Sequence, residues 1–424
     1  MVEQGGETSA AATHPGVTAD DVERAAETIR GLVDETPVLG AGEVSRRFGA
    51  AVRLKAESLQ RIGSFKLRGA TNRIAALAKE ELEAGVVAAS AGNHAQAVAV
   101  AAARRGAPVD VFMPAHAPVA KVAAVRRYGG AVRLVEGSYD EAFEAASDFA
   151  ALEGKTLIHA FDDPAIVAGQ GIVGLEIAKQ APRTRLLLAP LGGGSLAAGT
   201  AIAIKSRLPG VRAVGVQAEG CAPYGESLAA GKPLRAGRVS TICDGIAVKR
   251  PGDLTLPLVG RYLDQIVTVS DDDVAEAMVL LLERAKLVVE GAGAASVAAL
   301  LTRKVAPPAD GETCAILSGG NVDASRLAEC IRLGETAAGR RLVFSTVVPD
   351  LPGALARLLT VVAEAGANVL DVAHLREGMD IHIRETGVRL VLQTEGEEHA
   401  GRVVAVVADE GFEPRLERAA RPQP

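Results

Sequence analysis

The sequence predicts an α/β protein with two open, twisted, mostly parallel sheets flanked by helices, followed by a small unit with the element order βαββαβ. Short apolar runs alternate with helical segments between residues 85 and 317, which is typical of parallel sheets covered on both faces. A polar stretch of small residues at 334–340 then precedes a different order of elements. A chain of 424 residues is also long enough for two or three domains.

The N-terminal part alternates strands with helices. Residues 1–16 are rich in Gly, Ala, Ser, Thr and Glu and are predicted to be a disordered tail. Thr18 is predicted to cap a first helix that ends near Val33. The strands predicted after it are 52–57, 85–90, 109–114, 131–135, 156–160, 185–190, 213–217, 265–270 and 313–317. The helices predicted between them are 67–77, 93–105, 119–128, 139–153, 195–205, 271–286 and 290–301.

The C-terminal part follows the ferredoxin-like order βαββαβ. Its predicted elements are, in order, a strand at 341–348, a helix at 353–365, strands at 368–375 and 388–393, a helix at 397–410 and a last strand at 412–416. Residues 417–424 are predicted to be a flexible tail.

Composition excludes several classes of partner. The net charge is −6 and Trp is absent, so neither a basic surface for nucleic acid nor an aromatic stacking platform is expected. The four cysteines lack CxxC spacing, which fits reduced thiols in a cytoplasmic protein. No signal peptide and no apolar run long enough for a bilayer are seen, so no membrane partner is expected. The seven histidines form no HExxH motif, and no bound metal is predicted.

One lysine stands at the start of a predicted helix. Lys66 lies between Phe65 and a helical run that begins at Leu67. A helix N-terminus carries partial positive charge, so it is a poor place for a structural cation. A positive field and partial burial both lower the pKa of an ammonium group, which suits a lysine used as a neutral amine. For Lys66 taken alone, a solvated lysine that precedes a helix is the simpler interpretation.

A loop with polar side chains follows the strand predicted at 85–90 and opens the next helix. The backbone N–H groups and side chains of such a loop favour a carboxylate or a polar ring substituent. An ordinary strand-to-helix turn capped by Asn93 is an equally good interpretation. The residues of this loop are Ser90, Ala91, Gly92, Asn93 and His94.

A second loop contains three consecutive glycines, whose backbone amides can curl around an anion at a helix N-terminus. This loop contains neither a GK[ST] nor a GxGxxG pattern, so a single small phosphate is favoured over a nucleotide. A flexible turn would be favoured if the motif stood alone. The residues of this loop are Gly192, Gly193, Gly194, Ser195 and Leu196.

Ser318 ends the last predicted strand of the large sheet, where ligands of such sheets bind. A hydroxyl at this point can hydrogen-bond a heteroaromatic nitrogen, although the turn is a common one in isolation. Together the four segments supply an amine nucleophile, a phosphate cup, an amide beside a ring substituent and a hydroxyl for a ring nitrogen. These are the groups that hold pyridoxal 5'-phosphate.

The motifs of residues 17–333 jointly resemble the threonine ammonia-lyase (threonine dehydratase) family, within the tryptophan-synthase-β-like pyridoxal phosphate enzymes of fold type II. Serine racemases are near neighbours of this family. The resemblance implies a catalytic region over 17–333, with a small subdomain at about 56–154 inserted in a large one. The matching segments are 63–70, 90–96, 161–164, 168–171, 244–248, 289–294 and 318–321.

The resemblance also implies residue roles. Lys66 matches the Schiff-base lysine, Phe65 the residue that flanks the cofactor, Asn93 the partner of the ring hydroxyl and Ser318 the partner of the ring nitrogen. The loop at 90–94 matches the substrate carboxylate site, and the loop at 192–196 matches the phosphate site. Ser195 stands where the family usually has a fourth glycine. The acidic residue that helps bind a divalent cation in serine racemases is not apparent after Glu219, so no racemase-type metal site is expected.

The C-terminal unit, 341–416, resembles an ACT regulatory domain joined by a linker at 334–340. In that family the turn after the first strand often binds a small amino acid at a subunit interface, which implies a branched-chain amino-acid effector. A purely structural dimerisation module is the alternative. The residues predicted to contact an effector are Asp350, Leu351, Gly353 and Leu355.

By resemblance, the expected reaction converts L-threonine to 2-oxobutanoate and ammonia, and L-serine to pyruvate, in isoleucine biosynthesis or threonine catabolism. A homodimer or homotetramer is expected. Two alternatives stay open at this point. One is a serine racemase or another ammonia-lyase for β-hydroxy amino acids, and the other is a non-catalytic amino-acid sensor.

Overall fold

The computed structural model describes residues 16–117, 119–237, 239–375 and 382–417. The tails predicted at 1–16 and 417–424 lie outside these ranges, apart from Gly16 and Glu417. The chain divides into two compact units, with the boundary between Val322 and Asp323. Within the described ranges, no helix has the length and apolar character needed to cross a membrane.

The first unit alternates strands and helices much as the sequence predicts. Its strands are β1 (Val38–Gly40), β2 (Val52–Ala56), β3 (Val86–Ala89), β4 (Val109–Pro114), β5 (Ala131–Val135), β6 (Thr156–Leu157), β7 (Thr184–Pro190), β8 (Arg212–Ala218), β9 (Gln265–Val269) and β10 (Glu312–Leu317). Its helices are α1 (Ala19–Thr28), α2 (Gly42–Phe48), α3 (Lys66–Ala75), α4 (Lys79–Ala84), α5 (Asn93–Arg104), α6 (Val119–Arg127), α7 (Tyr139–Leu152), α8 (Pro164–Gln180), α9 (Ser195–Arg207), α10 (Tyr224–Ala230), α11 (Thr255–Tyr262), α12 (Asp271–Leu280) and α13 (Gly291–Leu301).

Two open sheets organise this unit, which confirms the predicted fold class. The larger has the order β1-β2-β10-β7-β8-β9 and is parallel except for the antiparallel pair β1 and β2. The smaller has the order β5-β4-β3-β6 and is parallel throughout. Every residue of β3, β4 and β10 is buried, because helices cover both faces of a parallel sheet. β6 belongs to the small sheet and lies just beyond the predicted subdomain limit at residue 154.

The long helix α8 was not predicted from the sequence. It begins at Pro164, and the Asp163 side chain caps it by accepting hydrogen bonds from the backbone N–H groups of Ala165 and Ile166 at 2.7 and 3.1 Å. A Cβ on Gly171 or Gly174 would collide with the backbone of α9, so the two helices are in close contact. Because α8 is buried on nearly all sides, its sequence has no polar stripe from which a helical period can be read.

Some predicted boundaries differ from the structure. The first helix keeps its predicted cap, Thr18, but ends at Thr28. The helix predicted at 271–286 is α12 followed by a π-helical turn at Leu281–Ala285. The sequence predicts that the aspartates at 271–273 cap this helix, but its N-cap is Ser270, whose hydroxyl accepts a hydrogen bond from the Asp273 N–H at 3.2 Å.

The second unit has the predicted βαββαβ order, preceded by a helix. Its strands form one antiparallel sheet in the order β12 (Asn368–Leu375), β13 (Glu385–Gln393), β11 (Arg341–Pro349) and β14 (Arg415–Leu416). The segment predicted as a linker, 334–340, is helical as far as Ala337, because it continues a helix that buries Cys330. The elements are α14 (Ala324–Ala337), β11 (Arg341–Pro349), α15 (Ala354–Glu364), β12 (Asn368–Leu375), β13 (Glu385–Gln393), α16 (Glu397–Asp409) and β14 (Arg415–Leu416).

Candidate active site

Lys66 is the first residue of α3, as the sequence predicts. Its Nζ donates a hydrogen bond to the carbonyl of Ala160 at 2.8 Å and lies 5.2 Å from the centre of the Phe65 ring. Burial lowers the pKa of Lys66 to about 8, although the nearby carboxyl of Glu290 opposes the shift. About one tenth of the amine is therefore neutral at pH 7 and about half at pH 8.

A buried ionic cluster, formed by Lys55, Glu57, Arg68 and Glu176, anchors the start of α3. The fully buried guanidinium of Arg68 donates to both oxygens of Glu57 at 2.8 Å and to both oxygens of Glu176 at 2.6 and 2.8 Å. Lys55 Nζ donates to Glu176 at 2.5 Å. Burial alone would raise the pKa of Glu57, but the charge of Arg68 holds it below its ordinary value. Sequence reasoning missed this cluster, because its members lie up to 121 residues apart.

The predicted loop at 90–94 meets two other segments in the structure. Asn93 is the first residue of α5, and its Nδ2 donates to Glu290 Oε1 at 2.7 Å. Asn93 Oδ1 accepts a hydrogen bond from Asn321 Nδ2 at 2.7 Å. Ser90 Oγ accepts the backbone N–H of Gly92 at 3.1 Å, which shapes the turn. The loop, the turn after β10 and the start of α13 thus converge on the Asn93 amide.

Glu290 was part of a recognised motif but received no role from the sequence. It is the N-cap residue of α13, and its backbone N–H donates to the Gly319 carbonyl at 3.0 Å. Burial raises the pKa of its carboxyl to about 7, against the opposing effects of the Asn93 hydrogen bond and of Lys121 and Lys66. An acidic residue directly before a glycine-rich helix start was the one signal that could have identified it.

His94 and Ala91 belong to the same loop but differ in the groups that they can present to a ligand. The His94 ring is buried, and its Nε2 lies 2.9 Å from the carbonyl oxygen of Ile158, which must accept a hydrogen from it. Burial lowers the pKa of His94 to about 3, so the ring is neutral. Its imidazole is engaged within the protein, and Ala91 has only backbone groups for a ligand. The substrate role of this loop stays a prediction.

The glycine loop at 192–194 has no room for side chains. A Cβ on Gly192 would lie 2.7 Å from the backbone of Ile246, one on Gly193 would collide with the Phe161 ring, and one on Gly194 would collide with the Tyr224 hydroxyl. Gly194 has φ of 93° and is the N-cap of α9, whose first residues Ser195 and Leu196 are buried. The first N–H groups of a helix have no intrahelical partner, so this cradle of backbone amides fits a phosphate group.

One short segment brings Lys66 and the glycine loop together. The carbonyl of Ala160 accepts the Lys66 hydrogen bond, and the ring of the next residue, Phe161, covers Gly193. His159 Nδ1 accepts the N–H groups of Phe161 and Asp162 at 3.2 and 2.7 Å, which fixes this turn. The amine and the phosphate-type cradle are therefore parts of one site.

Ser318 lies at the C-terminal end of β10, beside the Lys66 loop. It is buried, and its carbonyl accepts the N–H of Phe65 at 3.1 Å. Ser64 pairs with Gly319 in an isolated β-bridge. Residues 64–66 and 318–319 are thus held next to one another, as expected if both contact the same ligand.

Residues 29–319 match the family model described as "Pyridoxal-phosphate dependent enzyme". The chain is 42% identical over 401 residues to the L-threonine ammonia-lyase of Thermotoga maritima, covering 94% of this chain and 99% of that protein. It is 40% identical over 314 residues to the L-threonine dehydratase catabolic TdcB of Escherichia coli strain K12, covering 74% of this chain and 95% of that protein.

Solved structures agree with this match. The processed form of threonine deaminase isoform 2 from Solanum lycopersicum has a TM-score of 0.69 and 34% identity, covering 74% of this chain and 94% of that one. Maize serine racemase has a TM-score of 0.71 and 34% identity, covering 74% of this chain and 96% of that one. Enzymes named for threonine deamination and for serine racemisation thus share this architecture.

Proposed function

Since the chain belongs to the pyridoxal-phosphate-dependent enzymes, we propose that it converts L-threonine to 2-oxobutanoate and ammonia, and L-serine to pyruvate and ammonia. Its cofactor is pyridoxal 5'-phosphate. The observation that carries the proposal is the amine of Lys66, which has a lowered pKa and shares one site with a glycine cradle and the Asn93 amide. An amine of this kind is what both cofactor attachment and proton abstraction require.

The residues of the site fit the cofactor group by group. The cradle formed by Gly192, Gly193 and Gly194 would hold the phosphate, with Ser195 and Leu196 adding backbone N–H groups. Asn93 would donate to the ring hydroxyl oxygen and Ser318 to the ring nitrogen, while Phe65 flanks Lys66. When bound, pyridoxal phosphate supplies an electron sink for the negative charge that remains after the substrate loses its α-proton.

Lys66 is the proposed general base. Its neutral Nζ, when not attached to the cofactor, would take up the α-proton of the amino acid. The Ala160 carbonyl, 2.8 Å from Nζ, can hold the amine in place before and after this transfer. A pKa of about 8 keeps a useful neutral fraction near physiological pH while leaving the group basic enough to accept the proton.

Two further groups support elimination. The Ser318 hydroxyl, unlike a carboxylate, brings no negative charge that would hold a proton on the ring nitrogen. Ser318 would thereby favour prompt loss of the β-hydroxyl once the α-proton has been taken up. The loop at 90–94 would receive the substrate carboxylate through Ser90 and the backbone of Ala91, Gly92 and Asn93, at the start of α5.

Threonine is the proposed main substrate because the relative matching 94% of this chain is named L-threonine ammonia-lyase. The serine racemase likeness, at 34% identity, makes racemisation the reaction to test against it. The purified enzyme should form 2-oxobutanoate from L-threonine and pyruvate from L-serine, measured by chromatography of the keto acids. Formation of D-serine without keto acids would contradict the proposal.

We also propose a regulatory role for the second unit, with a branched-chain amino acid as effector. The relative named L-threonine dehydratase is matched over 95% of its own length, but the match covers only 74% of this chain. A protein that lacks a counterpart of the remaining part thus carries the name dehydratase, which supports a role for that part other than the reaction itself. The turn after β11 supports a ligand contact. Gly353 has φ of 89° with open space around it, and Leu351 is 69% exposed. Asp350 and Leu355 flank this turn.

The proposed assembly is a homodimer or homotetramer in the cytoplasm. The four cysteines, all within the described ranges, are buried and none is in a disulfide, which is consistent with a reducing compartment. Sedimentation with and without isoleucine or valine would measure both the oligomer size and any effect of the proposed ligand on it.

A further inference from the structure

Glu290 has no part in the reaction as proposed, although it lies in the site. We propose that Glu290 is a positioning residue that sets the orientation of the Asn93 amide and, through it, the hydrogen bond to the cofactor's ring oxygen. The inference rests on the proposed role of Asn93 as partner of that oxygen. It is carried by the contacts that Asn93 makes on both sides of its amide.

The two neighbours of the Asn93 amide permit one orientation. An ionised Glu290 carboxylate can only accept, and it takes a hydrogen from Nδ2 at 2.7 Å. The NH₂ group of Asn321 can only donate, and it faces Oδ1 at 2.7 Å. A flipped amide would put acceptor against acceptor and donor against donor. In the observed orientation one hydrogen of Nδ2 remains for a further acceptor.

The orientation of Asn321 is itself fixed. Its Nδ2 donates to the Ile62 carbonyl at 2.8 Å as well as to Asn93, so both of its hydrogens are used. Glu290 is held from the opposite side at the N-terminus of α13, where the helix dipole favours a carboxylate. A Cβ on Gly319 would collide with Glu290 Oε1, so the glycine leaves room for this carboxyl.

The charge of Glu290 depends on the groups that face it. These are Lys66 from α3, Lys121 from α6, and Asp244 and Cys243 from the turn before residue 247. Burial raises the pKa of the Glu290 carboxyl to about 7. Below that pH the carboxyl gains a hydrogen and loses its strict preference for the Asn93 NH₂, so the amide orientation is best defined in the ionised state.

A double-mutant cycle on cofactor affinity tests the coupling. Glu290→Ala, Asn93→Ala and the double variant are titrated with pyridoxal phosphate at pH 8, and the dissociation constant is read from visible absorbance. Each single variant should bind about tenfold more weakly, as expected from the loss of one hydrogen bond in a buried site. The double variant should match Asn93→Ala within about twofold, because Glu290 acts through Asn93.

If Glu290 had a merely structural role, the two tenfold losses of cofactor affinity would multiply to about a hundredfold in the double variant. This result would overturn the inference. Asn93→Ala binding with wild-type affinity would remove the proposed role of Asn93 and the inference with it. Failure to turn over threonine, with the coupling intact, would instead fault only the proposed reaction.

Glu290→Gln gives a second test that does not depend on the alanine variant folding. The glutamine keeps an acceptor for Asn93 but cannot ionise. The glutamine thus resembles the protonated carboxyl, since both can donate as well as accept. Cofactor affinity of Glu290→Gln at pH 8 should be close to that of wild type at pH 6, and its change between pH 6 and pH 8 should be smaller than in wild type. The exposed Glu226→Gln serves as matched control and should titrate as wild type. Wild-type pH dependence in Glu290→Gln would contradict the proposal.

Discussion

The cationic side chains near the first turn of α3 lie in two different environments, one paired with carboxylates and one beside a neutral carbonyl. In the buried ionic cluster, Arg68 is paired with Glu57 and Glu176, and Lys55 donates to Glu176 at 2.5 Å and to the Thr36 carbonyl at 2.6 Å. Lys66 donates to a neutral carbonyl, and its pKa falls to about 8. Full pairing by carboxylates fixes a cation in place, whereas burial beside a neutral acceptor makes an amine reactive. With Lys66 in its proposed role, one helix start would serve both stability and chemistry.

Removing the amine of Lys66 should have the largest effect on activity. Lys66→Ala should lower kcat for L-threonine by about 10⁴-fold, because the group that attaches the cofactor and the base are lost together. The variant should stay folded by circular dichroism and should carry no cofactor on the protein in mass spectra after borohydride reduction. Turnover near the wild-type rate would refute the assignment.

Removing the cation of the buried ionic cluster should mainly affect stability. Arg68→Met leaves the buried Glu57 without its ion-pair partner and Glu176 paired with Lys55 alone, and breaking a buried pair in this way typically costs about 3–5 kcal/mol. The exposed pair of Arg207 and Glu23 provides the control, and Arg207→Met should cost less than about 1 kcal/mol. Denaturant unfolding measures both. Equal losses in the two variants would mean that the cluster does not anchor α3.

The glycine cradle should tolerate no added methyl group. Gly193→Ala would force its Cβ into the Phe161 ring, so pyridoxal phosphate should bind about tenfold to a hundredfold more weakly. Gly210 has open space around it, and Gly210→Ala is the matched control that should bind normally. Equilibrium titration with the cofactor compares the two. An unchanged affinity in Gly193→Ala would argue against the cradle as the phosphate site.

The smallest expected effect lies in the second unit. Gly353→Val should raise the concentration of isoleucine or valine needed for half-maximal response by severalfold, because a β-branched residue cannot easily keep φ near 89°. Gly411 has φ of 87° and also lies in open space, so Gly411→Val imposes matched strain away from the turn. A response altered equally in both variants would indicate general destabilisation rather than an effector contact.

Much of the fold could be predicted because local patterns specify it. Strand β5 and the strand β12 of the second unit have the predicted limits, and Lys66 and Asn93 begin helices as expected. α8 was missed because it is buried on nearly all sides, and α14 was divided between the catalytic region and a supposed linker. Periodicity is a weaker guide to a helix that meets water on no side, although α9 and α13, which are also buried nearly all round, were predicted.

The site could be predicted only in part. Short motifs located the lysine, the glycine loop and the turn after β10, because each is a local backbone feature. The partners of these motifs come from distant parts of the chain. The Asn93–Glu290 contact spans 197 residues and the Lys66–Ala160 contact spans 94. No spacing rule within one sequence reveals such pairs, and the pKa shifts that follow from them depend on the folded structure.

The reactivity of individual lysines tests the central contrast most directly. The apoprotein can be acetylated with a trace of acetic anhydride at a series of pH values, and labelling of each lysine-containing peptide measured by mass spectrometry. Lys66 should be labelled with a midpoint near pH 8, and Lys55 should stay unlabelled while the protein is folded. A Lys66 midpoint of about pH 10.4, the ordinary value for lysine, or equal labelling of the two residues, would contradict the account.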